Sequence, residues 1–205
     1  MKTLLHVYYR PRINSRTAVL SQLVKEITKD RFEYIGRDLV EKPPQQLIFD
    51  NLNAYYKRSY LKQELDSNEL ESVRIMDKEA NLLKNADVLV LSYPIYNFGM
   101  PGVVKNWIDL VIQEGTAFTE GTYGGEGKYG DKKVLILNTS GASQKDSPSD
   151  FSTPHIKRIF SYVGVRDIVV DGLYGIKYTG IVDEKMDSFR SRISQQLQDW
   201  SGVDA

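Results

Sequence analysis

The sequence contains no cysteine, so disulfides, thiol nucleophiles and thiolate metal sites are excluded, while reducing and oxidising compartments both stay open. It has two histidines, His6 inside an apolar run and His155 near a helix start, with no partner at the spacing a metal site or catalytic triad needs. It has no excess of charge of either sign. Lys plus Arg equals Asp plus Glu at 27 each, which argues against nucleic acid, an anionic membrane surface or an acidic tail as partner. No uninterrupted apolar run approaches the roughly 20 residues of a spanning helix. The opening MKTLLHVYYRPR is too short in its apolar part for a signal-peptide core and meets arginines at once. A cytoplasmic protein is therefore expected, and the glycosylation-like tripeptide Asn138, Thr139, Ser140 reads as a chance match.

What is present suits one globular domain over residues 1–205, since 41% of the residues are hydrophobic. Four runs, Leu4 to Tyr9, Val88 to Tyr93, Val134 to Asn138 and Ile168 to Val170, are apolar at successive positions, as in parallel strands covered on both faces. A fifth, Phe32 to Ile35, alternates more, as a strand nearer an edge does. Between them the period turns helical. Leu20, Leu23, Val24 and Ile27 share one face, as do Leu70, Val73, Ala80 and Leu83, then Val104, Trp107, Ile108 and Val111. Ile156, Ile159, Phe160 and Val163 form a fourth such set, and Phe189, Ile193, Leu197 and Trp200 a fifth. Pro101 and Pro154 mark helix starts, and Gly164 a helix end. Regular βα alternation predicts a three-layer, doubly wound α/β fold, and five strands favour the flavodoxin-like order 2-1-3-4-5. Two stretches exceed ordinary connections: the aromatic-rich Glu41 to Gln63 and the glycine-rich Ala117 to Asp131.

In such a sheet ligands bind beyond the carboxyl ends of the strands, beside the point where strand order reverses. Three loops lie there. The first, RPRINSRT, enters a helix, so Asn14, Ser15, Arg16 and Thr17 offer hydroxyls and N–H groups at a positive helix end, with Arg10 and Arg12 as further donors for a phosphate. Asn14 or Ser15 would serve equally as a plain cap. The second, YPIYNFGMPG, brings Tyr96, Asn97 and Phe98 to the mouth, where they suit a flat heteroaromatic ring or simple packing. The third, TSGASQKD, is small and polar, with Gly141 permitting close approach, and is also consistent with a plain turn. Gly125, Gly127 and Gly130 spell G-x-G-x-x-G, but they precede a strand instead of following one, so a dinucleotide fingerprint is discounted. The nearby Gly127-Lys128 pair lacks the hydroxyl of a P-loop.

The blocks YPIYNFGMPGVVKNWIDLVIQEGTAF and TSGASQKDSPSDFSTPHIKRIFSYVGV make the chain resemble, over essentially its whole length, the FMN-dependent NADH-azoreductase and quinone-reductase family. The resemblance implies one non-covalent FMN per subunit, NADH or NADPH as donor, a quinone or azo compound as acceptor, and a homodimer with shared sites. It implies that Ser15 and Thr17 hold the phosphate with the Arg16 N–H, that Ile95, Tyr96, Asn97 and Phe98 contact the isoalloxazine, and that Thr139, Ser140, Gly141 and Ala142 meet its pyrimidine edge. Phe118 and the glycine-rich stretch after it would border the substrate pocket. Three positions depart from the family pattern. Arg10 stands where many members have serine, in a loop one residue shorter; Ser140 and Ala142 stand where glycine or arginine is common; Glu120 replaces an aromatic near the pocket. Hydride chemistry carried by a flavin fits the lack of an acid–base constellation. A flavin reductase that releases reduced FMN, an electron carrier and a regulatory protein without cofactor are the competing readings; the neutral balance speaks against the carrier.

Overall fold

A computed structural model describes residues 1–121, 125–142, 145–176 and 180–202. The strands β1 (Lys2–Tyr8), β2 (Phe32–Asp38), β3 (Val88–Pro94), β6 (Lys133–Ser140) and β7 (Asp167–Tyr174) form one sheet. Its order is β2-β1-β3-β6-β7 and every pairing is parallel, which is the expected 2-1-3-4-5 order once the short hairpin β4 (Phe118–Thr119) with β5 (Glu126–Gly127) is set aside. The reversal of order falls between β1 and β3.

Strand residues alternate between two cores because successive side chains point to opposite faces. Leu5, Val7, Leu89, Leu91 and Ile136 pack with Val73 and Met76 of α3 (Ser67–Asn85), Trp107 and Ile108 of α4 (Gly102–Val111), and Ile156 and Phe160 of α5 (Ser152–Tyr162). Leu4, Val88, Val90, Leu135 and Leu137 pack instead with Leu20, Leu23 and Val24 of α1 (Arg16–Thr28) and Phe189, Ile193 and Leu197 of α6 (Gly180–Ser201). Each fully buried Leu, Ile or Phe contributes roughly 1.5–3 kcal/mol, so the two faces together hold the sheet between its helix layers. β3, VLVLSYP, is buried at every position, as a central strand must be.

His6 lies on the α1 face, fully buried, with Nδ1 3.0 Å from the Tyr34 hydroxyl and Nε2 2.9 Å from Ser92 Oγ. Desolvation pushes its pKa down to about 3, so it is a neutral, hydrogen-bonded core residue, as its place in an apolar run suggests.

Two expectations change. Ile168 to Val170, read as a strand covered on both faces, belongs to the edge strand β7, where Ile168 and Val169 are only half-buried. The long stretch Glu41 to Gln63 contains a helix, α2 (Phe49–Ser59), that buries only Asn51, Ala54 and Ser59. It docks through Ala54 and Tyr55 on the core and through ion pairs: Lys57 Nζ lies 2.7 Å from Glu69, and Arg58 makes a bidentate pair with Asp77 at 2.6 and 2.8 Å. The glycine-rich stretch is structural at Gly127. A Cβ there would sit 2.1 Å from Val163 C, so only glycine lets the hairpin lie against the end of α5, where Gly164 has φ +96°.

Candidate functional site

The three loops converge at the carboxyl edge, and hydrogen bonds stitch them together. Tyr9 N–H donates to Ser92 O at 2.9 Å, and Ile95 N–H to Thr139 O at 2.9 Å. Thr17 Oγ1 lies 2.9 Å from Thr139 Oγ1, which joins the first turn of α1 directly to the end of β6. Behind them, Ile176 N–H donates to Ser140 O and Gly175 N–H to Ala142 O, both at 3.2 Å.

At the start of α1, Ser15 occupies the N-cap position but makes no side-chain cap hydrogen bond, and the first turn holds no acidic residue. Its own N–H goes to Arg12 O at 3.1 Å and the Ala18 N–H to Ser15 O at 3.0 Å, while the Arg16 and Thr17 N–H groups stand at the positive helix end. The plain-cap alternative therefore fails at Ser15. Arg12 is exposed and Arg16 half-buried, and among the described residues neither side chain has an ion pair. Arg10 differs: its Nε lies 2.7 Å from Asp38 Oδ2 and its Nη2 3.0 Å from Glu41 Oε1.

In the second loop Ile95 is half-buried, while Tyr96, Asn97 and Phe98 are exposed. Tyr96 and Gly99 exchange both backbone hydrogen bonds at 3.0 Å, closing a tight turn that forces φ to +46° at Asn97 and +69° at Phe98. A left-handed phenylalanine costs roughly 1–2 kcal/mol, and such strain is kept where a side chain must be presented. In the third loop Thr139 and Ser140 are buried, Gly141 and Ala142 are exposed, and Ser140 Oγ accepts from the Ala142 N–H at 3.3 Å. A Cβ on Gly141 would meet nothing within 4 Å, so its backbone faces open space. Ser143 and Gln144 lie outside the described residues, as do residues 122–124 of the glycine-rich stretch.

Phe151 belongs to this edge although its sequence context does not single it out. It is 63% exposed and meets Phe98 edge-on, ring centroids 6.4 Å apart. The one available signal was an aromatic alone in the polar run SPSDFSTP just before a helix. Phe118 and Glu120, by contrast, are not brought here. They follow the far end of α4, about 15 Å of helix away from the second loop. Phe118 packs there on Tyr162, the last residue of α5, at 5.2 Å, and Glu120 is exposed.

An uncapped helix start beside an aromatic turn and an open glycine backbone, at the switch point of a parallel sheet, defines a flavodoxin-like ligand edge. A family model described as the flavodoxin-like fold matches residues 2–197, and the chain belongs to that family. A FMN-dependent NADH:quinone oxidoreductase of Erythrobacter litoralis is 33% identical over 185 residues, covering 85% of this chain and 90% of that protein. Another, from Vibrio vulnificus, is 34% identical over 139 residues, 68% of this chain and 69% of that protein. Within the fold, the chain belongs with these FMN-dependent NADH:quinone oxidoreductases. A solved FMN-dependent NADH-azoreductase from Bacillus anthracis, in complex with FMN, matches with a TM-score of 0.83 at 18% identity, over 98% of this chain and 100% of that one. A second B. anthracis azoreductase gives 0.81 at 20% identity, over 98% and 99%. At such identities the structural likeness is one of fold. Among the described residues no helix is long and apolar enough to cross a membrane, and no group of three or more potential ligands could hold a metal.

Proposed function

We propose that this chain is an FMN-dependent oxidoreductase that passes two electrons from NADH or NADPH to quinone or azo acceptors in a ping-pong cycle. The reading includes a cytoplasmic homodimer with shared sites. The observation that carries it is the 2.9 Å contact between Thr17 and Thr139, which puts an uncapped anion cradle and a ring-binding edge on one continuous wall.

The residues present fit FMN. The Ser15 hydroxyl and the Arg16 and Thr17 N–H groups offer donors to a phosphate at the N-terminus of a 13-residue helix, the Thr17 hydroxyl being engaged with Thr139. Ile95, Tyr96, Asn97 and Phe98 present an aromatic and amide surface for a flat ring, and Thr139, Ser140, Gly141 and Ala142 a polar edge for its pyrimidine side. When bound, FMN would supply the hydride-transfer chemistry between the nicotinamide and the acceptor. Backbone N–H groups near Asn97 and Gly141 would face the flavin ring and would stabilise negative charge on it. Phe98 and Phe151 form an apolar wall that favours planar partners and sheds water. Phe118 and Glu120 belong to the pocket through a second subunit, since one chain leaves them at the other end of α4.

The test is an anaerobic absorbance spectrum of the purified protein with FMN, then NADH, then NADPH. Yellow protein that bleaches with a nicotinamide and recolours with a quinone is the expected result. Protein that stays colourless with FMN refutes the cofactor, and bound FMN that neither donor bleaches refutes the oxidoreductase.

A further inference from the structure

Two arginines, Arg10 and Arg12, stand in the loop between β1 and α1, and a third, Arg16, opens α1; their surroundings differ. Arg12 and Arg16 have no ion pair among the described residues, and Arg12 is exposed to solvent. Arg10 is committed at two points, 2.7 Å from Asp38 and 3.0 Å from Glu41, and its guanidinium carbon lies 5.7 Å from the Tyr8 ring centroid. Asp38 is itself fixed. It is 6% exposed, its Oδ1 accepts from the Val40 N–H at 2.8 Å, and its carbonyl accepts from Arg37 Nη1 at 3.1 Å. Arg37 in turn is buried against Glu79 at 2.9 Å, and Glu79 accepts from Trp107 Nε1 at 2.9 Å. The carboxylate that anchors Arg10 is thus tied into the protein interior, while the Arg10 side chain itself is 39% exposed.

We infer that Arg10 is a positioning residue: braced on Asp38 and Glu41, it holds the loop that presents Ser15, Arg16 and Thr17, and it is not itself the phosphate donor. Its Nε and Nη2 are occupied by carboxylates, and two negative charges beside it oppose an incoming phosphate at that guanidinium. The cradle is then left to backbone N–H groups, Ser15 and the unpaired Arg12 and Arg16. The loop meets the phosphate alone, because the ring is held by residues 95–98 and 139–142. Loss of the brace therefore harms FMN binding and spares riboflavin, which has no phosphate. This inference rests on the FMN reading above.

The experiment is a titration of FMN and of riboflavin against the apoprotein, followed by flavin fluorescence, for wild type, Arg10→Ala, Arg10→Lys, Asp38→Asn and the double variant Arg10→Ala/Asp38→Asn. Asparagine keeps the oxygen that receives the Val40 N–H and removes the one facing Arg10. Each of Arg10→Ala and Asp38→Asn is expected to weaken FMN about tenfold, with riboflavin unchanged and the double variant no worse than either single, the signature of one coupled unit. Arg10→Lys keeps one charged bond to Asp38 and recovers part of the loss. If Asp38→Asn leaves FMN unchanged or tighter while Arg10→Ala weakens it, Arg10 is a direct phosphate donor and the inference falls. An unchanged FMN-to-riboflavin ratio in Arg10→Ala also overturns it. Wild type that binds neither flavin overturns the functional reading instead, a result the variants cannot mimic.

Discussion

Helices α1 and α3 start in opposite ways. At α3, Asp66 accepts from the Asn68 and Glu69 N–H groups at 2.8 and 2.9 Å, and Glu69 reaches back to the Asp66 N–H at 2.8 Å. That start spends its donors within the chain, as a capping box does. At α1, Ser15 occupies the equivalent position with no cap bond, no acidic residue follows in the first turn, and Arg12 and Arg16 have no ion pair among the described residues. A chain that caps one helix fully can cap another. The open start follows β1 directly at the switch point, where unspent donors suit an anionic ligand, whereas the closed one follows α2 and no strand.

The strongest way to break this contrast is to give α1 the cap that α3 has. Ser15→Asp is expected to stabilise the apoprotein, since its carboxylate satisfies the free N–H groups, and to weaken FMN about a hundredfold by occupying the cradle with like charge. Fluorescence titration beside apoprotein melting checks both halves. Unaltered FMN affinity would mean that the phosphate sits elsewhere.

Acid separates the two regions next. His6 lies on the α1 face, and burial lowers its pKa from 6.5 to about 3. Unfolded chains bind the proton first, so this contribution to stability is present above pH 6.5 and drains away as pH falls from there toward 3. Between pH 7 and 5 the loss is about 2 kcal/mol, and His6→Gln, which keeps hydrogen-bonding atoms but does not titrate, should lose correspondingly less in urea unfolding at the two pH values. Equal slopes for both proteins would contradict a neutral His6.

The smallest effect is at α3. Asp66→Ala should lower the melting temperature modestly and leave flavin affinity untouched, which confines the cap to folding. The Glu69 N–H holds the Asp66 carboxyl below its ordinary range, and the Lys57 ammonium does the same for Glu69. The stability they contribute is present above the usual carboxylate range and fades as pH falls through the lowered values. A pH-stability profile of Asp66→Ala that still shows the wild-type decline in that acid range would remove Asp66 from this account.

Much of the fold could be read along the chain, because runs such as VLVLSYP and sets such as Leu20, Leu23, Val24 record burial in a local period. The helix α2 could not, since ion pairs to α3 help to hold it and two of its three buried residues, Asn51 and Ser59 beside Ala54, are polar. The candidate site was legible where its parts are contiguous, in Tyr96 to Phe98 and Thr139 to Ala142. It was illegible where distant segments meet: Phe151 against Phe98, or Phe118 held away at the end of α4.

The sequence by itself determined an α/β sheet, its strand order and the three loops at its mouth, all consequences of periodicity and loop position. Tertiary structure decided what each polar group in those loops is free to do. RPRINSRT shows three arginines and a serine alike in sequence, yet Asp38 on the neighbouring strand claims Arg10, while nothing within the described chain claims Arg12 or the side chain of Ser15. Whether a donor is spent or spare depends on which partners the fold brings within about 3 Å, a distance that local sequence pattern does not encode.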